Sequence, residues 1–354
     1  MGDIERFLAI DVAIRDNHSL AVCRIPGEGK LHLTVADYNA TFTCCDASEL
    51  NGKEGFVIAP FFTSEEYPIV CIQAEEYELP IPEDTFPSPD GDYPFARITT
   101  SYPKRFRRFA APLREGVMNS LMLSRCVKTD RPNDFSPALT FLRACCRNPH
   151  TYVYLVHSPY SGTWIGFSPV PFLSGETTDW QVSALGGIQP LINGLAPLAW
   201  TEKNCNEQQM MADCIQAQLE LAGLEWSAVG PYAILSEDVA HLKKDFHFKF
   251  SDNKYIGDLL KLLYPTPSVC GIPCKEAYQF IINREGYDRR YYSGFVGRIS
   301  PDGWNELFLN LQCMEVFPDI LNMYVGSNLV EDTTAAEEWR ITEAKLRTLR
   351  TLLD

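Results

Sequence analysis

The sequence predicts a mixed α/β or α+β fold, and three observations support this prediction. Apolar segments of strand length are interspersed with segments at helical spacing along the 354 residues. Hydrophobic residues make up 45% and charged residues 22%, which is typical of a globular protein with a large core. We find no internal repeat, low-complexity segment or flexible linker. A single domain over residues 1–354 is therefore expected, although this length is often divided between two.

The first half of the chain begins with a β-rich part and continues with two helices. Residues 78–92 hold four prolines and five acidic residues, which predicts a loop or a lid. The spacing of Val117, Leu121 and Ser124 favours a helix over residues 113–127. The other elements predicted in this half are strands at 7–12, 20–25 and 55–60, and a helix at 136–146.

The second half is predicted to contain a β meander followed by alternating helices and strands. The meander is indicated by β-branched and aromatic segments separated by Gly and Pro turns. Its strands are expected at 152–157, 163–168 and 180–185. Beyond it we expect helices at 206–221, 255–263, 275–284 and from 333 to the C-terminus, and strands at 232–236, 293–299, 306–312 and 321–330.

Charge and cysteine content narrow the class of protein. The formal net charge of −15 argues against nucleic acid or an anionic membrane as the main partner, because both are bound through clustered Lys and Arg. The 12 cysteines are scattered through apolar stretches, which is typical of reduced thiols in a cytosolic protein. No signal peptide and no stretch of about 18 apolar residues is found. We therefore expect a cytoplasmic protein.

Motifs of several common chemistries are absent from the sequence. There is no Walker A sequence, no G-x-G-x-x-G after a strand, no H-E-x-x-H and no G-x-S-x-G. The six histidines are dispersed. His157 ends an apolar strand and is expected to be structural, whereas His241 and His247 flank two lysines and are expected at the surface.

Two glycine-containing segments are candidates for shaping a pocket. In Tyr264-Pro-Thr-Pro-Ser-Val-Cys-Gly-Ile-Pro273 the prolines must end the preceding helix, and Gly271 allows close approach of the backbone to a ligand. A helix-capping turn is the alternative interpretation of this segment. Arg284-Glu-Gly-Tyr-Asp-Arg-Arg-Tyr-Tyr-Ser-Gly-Phe-Val-Gly297 leads from a helix into a strand, where Gly294 gives backbone access. Asp288 and Arg289 in this segment are expected either to contact a substrate or to pair with each other.

Two further segments carry charged candidates. In Glu338-Trp-Arg-Ile-Thr-Glu-Ala-Lys-Leu346 the spacing i, i+3, i+7 puts Glu338, Ile341 and Lys345 on one helix face. The segment Glu202-Lys-Asn-Cys-Asn-Glu-Gln208 begins another helix and contains Glu207.

These four segments together resemble the chorismate-utilising enzymes, most closely isochorismate synthase. Weaker similarity extends to Ser120-Leu-Met-Leu-Ser-Arg125, Gly166-Phe-Ser-Pro-Val170 and Ala184-Leu-Gly-Gly-Ile188. The resemblance covers about residues 105–354, and residues 1–100 correspond to a variable N-terminal part. It implies a chorismate-binding-enzyme-like fold, with large β-sheets in a sandwich flanked by helices.

The resemblance also implies roles for individual residues. The family reaction adds water at C2 of chorismate and expels the C4 hydroxyl, using a base, an acid and Mg²⁺. Glu207 and Glu338 fall on metal-directed carboxylates, and Lys345 falls on a lysine aimed at a substrate carboxylate. Gly271 and Gly294 fall on the pocket lining. The expected ligand is a chorismate-like small molecule, bound by a monomer.

The comparison fails at the positions that supply the chemistry. The base falls on Ser120, the acid on Val170, the carboxylate-binding arginine on Gln312 and a second magnesium ligand on Ile341. Four further departures are Asn204 for a carboxylate, Tyr264 for a histidine, Ile188 for Thr or Ser, and Gly326-Ser-Asn328 for Gly-Ala-Gly. Ile341 is expected to pack against apolar neighbours, and Glu338 and Lys345 to form a solvated or salt-bridged face.

Two functional hypotheses follow. The first is an isochorismate synthase-like protein with impaired or lost catalysis. The alternative is a non-catalytic relative that binds a different ligand or a partner protein. If the alignment with the family is shifted in the N-terminal half of the resemblance, Lys128 or Lys203 would be the base. Pyruvate elimination from chorismate is a third hypothesis, and the missing base and arginine weigh against it.

Overall fold

The computed structural model describes residues 7–36, 40–82, 86, 96–99, 101–191, 195–196, 199–236, 239–250 and 252–353. Within these residues the strands form two nine-stranded β-sheets. Strands are numbered in chain order, and neighbours in space follow one another in each series. The first sheet contains β14 (Gly271–Ile272), β7 (Ser120–Asp130), β18 (Ile320–Leu329), β17 (Gln312–Val316), β9 (Gly162–Ser168), β8 (Tyr152–Ser158), β1 (Ser19–Arg24), β2 (Lys30–Ala36) and β6 (Glu76–Pro80).

The second sheet has the same number of strands and, like the first, pairs all of its neighbours antiparallel. Its members are β12 (Trp226–Ser236), β13 (Val239–Lys249), β11 (Asp179–Pro190), β10 (Pro171–Glu176), β16 (Asn305–Leu309), β15 (Phe295–Ile299), β4 (Gly55–Ala59), β5 (Ile69–Ile72) and β3 (Thr41–Cys44).

Helices connect the strands. Within the described residues they are α1 (Ala9–Arg15), α2 (Tyr102–Arg114), α3 (Pro137–Arg147), α4 (Glu202–Leu221), α5 (Ile256–Leu263), α6 (Cys274–Arg284) and α7 (Ala335–Thr351), with 3₁₀ turns at Ala47–Leu50 and Asn253–Tyr255. None of the helices in these ranges is long and apolar enough to cross a membrane.

The two sheets pack face to face because successive side chains of a strand point to opposite faces. In β1, Ala21 and Cys23 join the core between the sheets, whereas Leu20 and Val22 join the core under α1, α3 and α7. Aromatic residues fill the space between the sheets, and the ring centroids of Tyr152 and Phe308 lie 4.1 Å apart. Helices α2, α4, α5 and α6 cover the other outer face. The predicted mixed fold, with large sheets in a sandwich flanked by helices, is confirmed.

Most predicted elements lie where the sequence placed them, but two were assigned to the wrong class. Residues 7–12 were predicted as a strand, but residues 9–12 form the first part of α1. Phe7 and Ile10 are buried while Val12 is 47% exposed, so their three-residue spacing is helical. Residues 113–127, predicted as a helix, contain the end of α2, a turn at Gly116 with φ of +69°, and then β7.

The error at β7 has a physical cause. Its first six residues are all buried, because protein covers both faces of the strand. A strand buried on both faces shows no polar alternation, and its apolar residues then match helical spacing by chance. Strands β10 and β13 and most of helix α2 were missed. Of the predicted loop at 78–92, residues 78–80 belong to β6, and residues 83–85 and 87–92 lie outside the described residues.

Substitution of Gly294 by alanine is expected to destabilise the fold. A β-carbon there would lie 1.8 Å from the carbonyl oxygen of Ala59, so the backbone between β4 and β15 would have to separate. We expect a loss of about 2 kcal/mol in the free energy of unfolding, as for other overpacked sites. Urea unfolding measures it. Gly29→Ala is the control, because nothing lies within 4 Å of its β-carbon, and an equal loss in both variants would contradict the expectation.

Candidate functional site

Glu207 lies near the start of α4, where two consecutive glycines let this helix approach β11. A β-carbon on Gly186 would lie 2.8 Å from Cα of Gln208, and one on Gly187 would lie 2.7 Å from the carbonyl oxygen of Asn204. A larger residue at either position would push the helix away. The close approach puts the backbone of Gly187 near the Glu207 carboxylate, where it opposes the rise in the pKa of Glu207 that burial causes.

Glu338 on α7 is completely buried, so the prediction of a solvated face was wrong. The Ser327 hydroxyl donates a hydrogen bond of 2.6 Å to its Oε2, while Oε1 finds no partner among the described residues. Burial raises the pKa of Glu338 to about 7, against the opposing effects of Ser327, Lys345 and Arg125. The carboxyl group is therefore substantially protonated at neutral pH.

Ile341 is also placed differently from the expectation. Its side chain is 40% exposed, so the prediction that it packs against apolar neighbours was wrong. Glu338 and Lys345 do lie on the face of α7 that contacts β18, since Lys345 Nζ donates a hydrogen bond of 2.8 Å to the carbonyl oxygen of Gly326.

Lys345 joins the two carboxylates electrostatically. Its ammonium group lowers the pKa of both Glu207 and Glu338, although burial raises both overall. Lys203 acts on Glu207 in the same way. Lys345 therefore lies within electrostatic range of both Glu207 and Glu338, and all three are residues predicted for the site.

A surface pocket of about 350 Å³ opens beside Glu207. Three of its seven lining residues are acidic, and the exposed Lys203 forms an ion pair of 3.1 Å with Asp332 at its edge. The lining residues are Glu202, Lys203, Asn206, Glu207, Met210, Val330 and Asp332.

The positions predicted for the base, the acid and the arginine are enclosed by protein and do not line this pocket. Ser120 has no exposed surface, Val170 is 5% exposed and Gln312 is 9% exposed. The Ser120 Oγ and the Gln312 Nε2 have no hydrogen-bond partner among the described residues. Val170 belongs to the hydrophobic core beneath α2, α4, α5 and α6.

The two predicted pocket glycines lie against protein backbone. A β-carbon on Gly271, whose φ is +129°, would lie 2.2 Å from the carbonyl oxygen of Ser120, because β14 pairs with β7 at this point. Gly294 is held as closely against Ala59. Their contact with a ligand stays a prediction.

The segments around these glycines are fixed by hydrogen bonds. The hydroxyl of Tyr264 lies 3.1 Å from the carbonyl oxygens of both Phe61 and Ser293 and can donate its proton to either, and α5 ends before Tyr264 as predicted. Arg289 does not pair with Asp288, which was one of the two expectations. Its Nε donates a hydrogen bond of 2.6 Å to Glu285, and both partners are about 1% exposed.

One histidine near the site was not predicted from the sequence. His241 was predicted at the surface, but it lies on β13, half-buried opposite Ile188. Burial lowers its pKa to about 4, with a smaller effect from Lys345, so the imidazole is neutral at pH 7. Alternation of Phe246 and Phe248 with polar residues was the signal for this strand. His157 accords with its structural prediction and contacts Thr163 and Asn17.

The described residues do not fit a magnesium site of the kind that the resemblance implied. No group of three or more His, Cys, Asp or Glu side chains within them is arranged to hold a metal ion. Mg²⁺ requires oxygen ligands in near-octahedral geometry. Glu338 is enclosed and bonded to Ser327, and the apolar Ile341 stands at the second ligand position.

Comparison with known proteins agrees with the geometry of the fold. Residues 96–354 match the family model described as chorismate binding enzyme. Isochorismate synthase DhbC of Bacillus subtilis is 27% identical over 68% of this chain, and isochorismate synthase EntC of Escherichia coli is 24% identical over 71%. The matches span 64% and 66% of those two proteins, just under two thirds of their length.

Solved structures share the architecture over nearly the whole chain. MenF, the menaquinone-specific isochorismate synthase from Escherichia coli, superposes with a TM-score of 0.78 at 15% identity, covering 95% of this chain and 89% of MenF. DhbC from Bacillus anthracis gives a TM-score of 0.79 at 20% identity, with 99% of each chain covered. At these identities the similarity establishes the fold.

Glu338→Gln is expected to stabilise the protein at pH 8 by about 2 kcal/mol. The folded state binds the Glu338 proton more tightly than the unfolded chain, so stability falls as pH rises from about 4.5 to about 7. Glutamine removes this loss. Urea unfolding at pH 8 and pH 4.5 measures the difference, which should vanish at the lower pH. Exposed Glu331→Gln is the control, and a Glu338→Gln variant less stable at pH 8 would refute the assignment.

Proposed function

Because this chain belongs to the chorismate binding enzyme family, we propose that it is an isochorismate synthase-like protein that has lost most or all of the conversion of chorismate to isochorismate. The observation that carries the proposal is the enclosure of Ser120 and Val170, at the positions where the resemblance expects the base and the acid. The scaffold is kept, and the side chains for proton transfer are replaced.

The chemistry of the reaction explains why these two positions matter. One group must take a proton from the attacking water, and another must give a proton to the departing hydroxyl oxygen. A serine hydroxyl does not replace the amine base, and valine has no proton to give. Since each group contributes on the order of 100- to 10,000-fold, losing both should reduce turnover by about 10,000-fold or more. The Ser120 Oγ has almost no accessible surface, so a bound water is not expected to substitute for the base.

Ligand binding is affected less than catalysis. The ammonium groups of Lys203 and Lys345 lie near Glu207 and would attract a carboxylate ligand. In contrast, the neutral amide of Gln312 supplies neither the charge nor the paired donors of an arginine. We propose that Lys345 and Gln312, with Gly271 and Gly294, once formed a substrate site. This site now binds chorismate weakly, binds another ligand, or binds a partner protein.

A weakly active enzyme is the second candidate, and Lys203 is the observation that favours it. Lys203 lines the pocket beside Glu207 and is 50% exposed, so its amine is accessible to water and ligand. Lys128 does not support this candidate. It lies eight residues from Ser120 along the extended strand β7, a separation of about 26 Å.

We also infer that residues 1–354 form one domain, with a variable N-terminal part over 1–100 and a family-like core over 105–354. Strands of the first part pair within both sheets, β1 with β8 and β4 with β15, which supports this division into parts rather than domains. We propose a cytoplasmic monomer whose ligand is a chorismate-like small molecule, with no nucleic acid or membrane partner.

Turnover of chorismate tests the proposal. We expect the pure protein with Mg²⁺ to produce isochorismate at least about 10,000-fold more slowly than an isochorismate synthase that carries Lys and Glu at these positions. Chromatographic separation of the two isomers gives the rate. Lys203→Met should leave any residual rate unchanged, and a fall in that variant would favour the weakly active enzyme. Turnover within 100-fold of the active control would refute the loss of catalysis.

Restoration of the two missing groups gives a second, independent test. We expect Ser120→Lys combined with Val170→Glu to recover no turnover and to lower the melting temperature, because both sites are enclosed. Thermal shift with chorismate, measured with and without Mg²⁺, should show no metal-dependent stabilisation. Recovered activity, or clear stabilisation that requires Mg²⁺, would show that the original site survives.

A further inference from the structure

Two thiols lie in contact between helices α4 and α6. The Sγ atoms of Cys214 and Cys274 are 3.1 Å apart, although the residues are separated by 60 positions in the chain. Cys214 lies in the middle of α4, and Cys274 is the first residue of α6. Both side chains are partly exposed, and both are free thiols in this structure.

We propose that Cys214 and Cys274 form a reversible disulfide on exposure to a hydroperoxide, which cross-links α4 to α6. This inference is independent of the proposed function, since it requires neither chorismate binding nor turnover. It adds an oxidative modification site to a protein whose other thiols are mostly buried in its cores.

The reaction balances with the hydroperoxide as the only oxidant. The Cys274 sulfur attacks the peroxide bond and becomes a sulfenic acid, with loss of water when the oxidant is hydrogen peroxide. The Cys214 sulfur then attacks the sulfenic sulfur, and a second water leaves. Two thiols lose two protons and two electrons, and both oxygens of the peroxide are reduced to water.

The geometry favours this pair over a random encounter of thiols. A disulfide bond is about 2.05 Å long, so the two sulfurs need to move by only about 1 Å. Partial exposure of both thiols gives a small oxidant access to them.

Reactivity should depend on pH. The hydrogen bond with Cys274 and burial raise the pKa of Cys214. For Cys274 the hydrogen bond with Cys214 lowers the pKa, but the contact with Cys270, burial and Glu276 raise it overall. The thiolate is the reactive form, so oxidation should be faster at pH 9 than at pH 7.

The cross-link would connect the helix that carries Glu207 to the segment around Gly271. Glu207 lies seven residues before Cys214, two turns earlier on the same side of α4. Cys274 directly follows the segment from Gly271 to Pro273, which pairs with the strand of Ser120. Oxidation would therefore restrain α4, which carries Glu207, relative to the segment that pairs with β7.

Peptide mapping and thermal unfolding test the proposal. The reduced protein is treated with hydrogen peroxide at pH 7 and pH 9, alkylated and digested. We expect a peptide joining Cys214 to Cys274, and a melting temperature raised by about 5 °C that dithiothreitol reverses. Trypsin leaves Cys270 with Cys274 in residues 262–275, and Cys205 with Cys214 in residues 204–243, so fragment ions must assign the bond.

Serine variants supply the controls. Cys214→Ser and Cys274→Ser should each lose both the cross-link and the thermal shift, whereas Cys205→Ser, exposed on the same helix, should keep both. Cys214→Ala repeats the test if the serine variant folds poorly. A bond between Cys270 and Cys274, a thermal shift that persists in Cys214→Ser, or free thiols at both positions after oxidation would overturn the proposal.

Discussion

The buried ion pair between Arg289 and Glu285 holds the centre of the molecule together. All five N–H groups of the guanidinium are positioned to donate, and the acceptors belong to four separate parts of the chain. They are both carboxylate oxygens of Glu285, the carbonyl oxygens of Val269 and Met122, and the hydroxyl of Ser293. Burying two charges is costly unless such bonds compensate for the lost water. The pair therefore fixes β7, the segment after α5, the end of α6 and the turn before β15 relative to one another.

This network gives a structural reason for sequence motifs that otherwise suggest catalysis. Glu285 also accepts hydrogen bonds from the backbone and the hydroxyl of Ser124. Removing either charge would leave the other buried without a partner, at a cost of about 3–5 kcal/mol. The motif around Arg289 thus stabilises the fold whether or not the protein turns over a substrate. Its presence is evidence of the family fold rather than of activity.

Local signals in the sequence predicted much of the architecture. Ser136 caps α3 through its hydroxyl, and Pro265 ends α5, because capping and proline geometry act over a few residues. The class of β7 was not predictable in this way, since its apolar side chains on both faces reflect layers contributed by distant segments. Register and sheet order likewise depend on contacts that no single window of sequence contains.

In the candidate site, too, some features could be predicted from the sequence and others depend on contacts with distant segments. The grouping of Glu207 and Lys345 followed from the resemblance, which supplied long-range information that spacing lacked. The burial of Glu338 did not follow, because it depends on Ser327 in a neighbouring strand and on the depth at which α7 packs. His241 was missed since its strand was missed. Side-chain environment, more than residue identity, decides which of these groups carry a charge.

The close packing at residue 120 has an evolutionary consequence. A lysine there would bring three more carbon atoms and a charged group into a position with no exposed surface, against a strand held within contact distance by Gly271. Neighbouring side chains would have to shrink before such a reversion became tolerable, and each of those changes alone would leave a cavity. If catalysis was lost as proposed, its return through residue 120 would require several individually harmful steps, and new roles would evolve more readily than the old one would return.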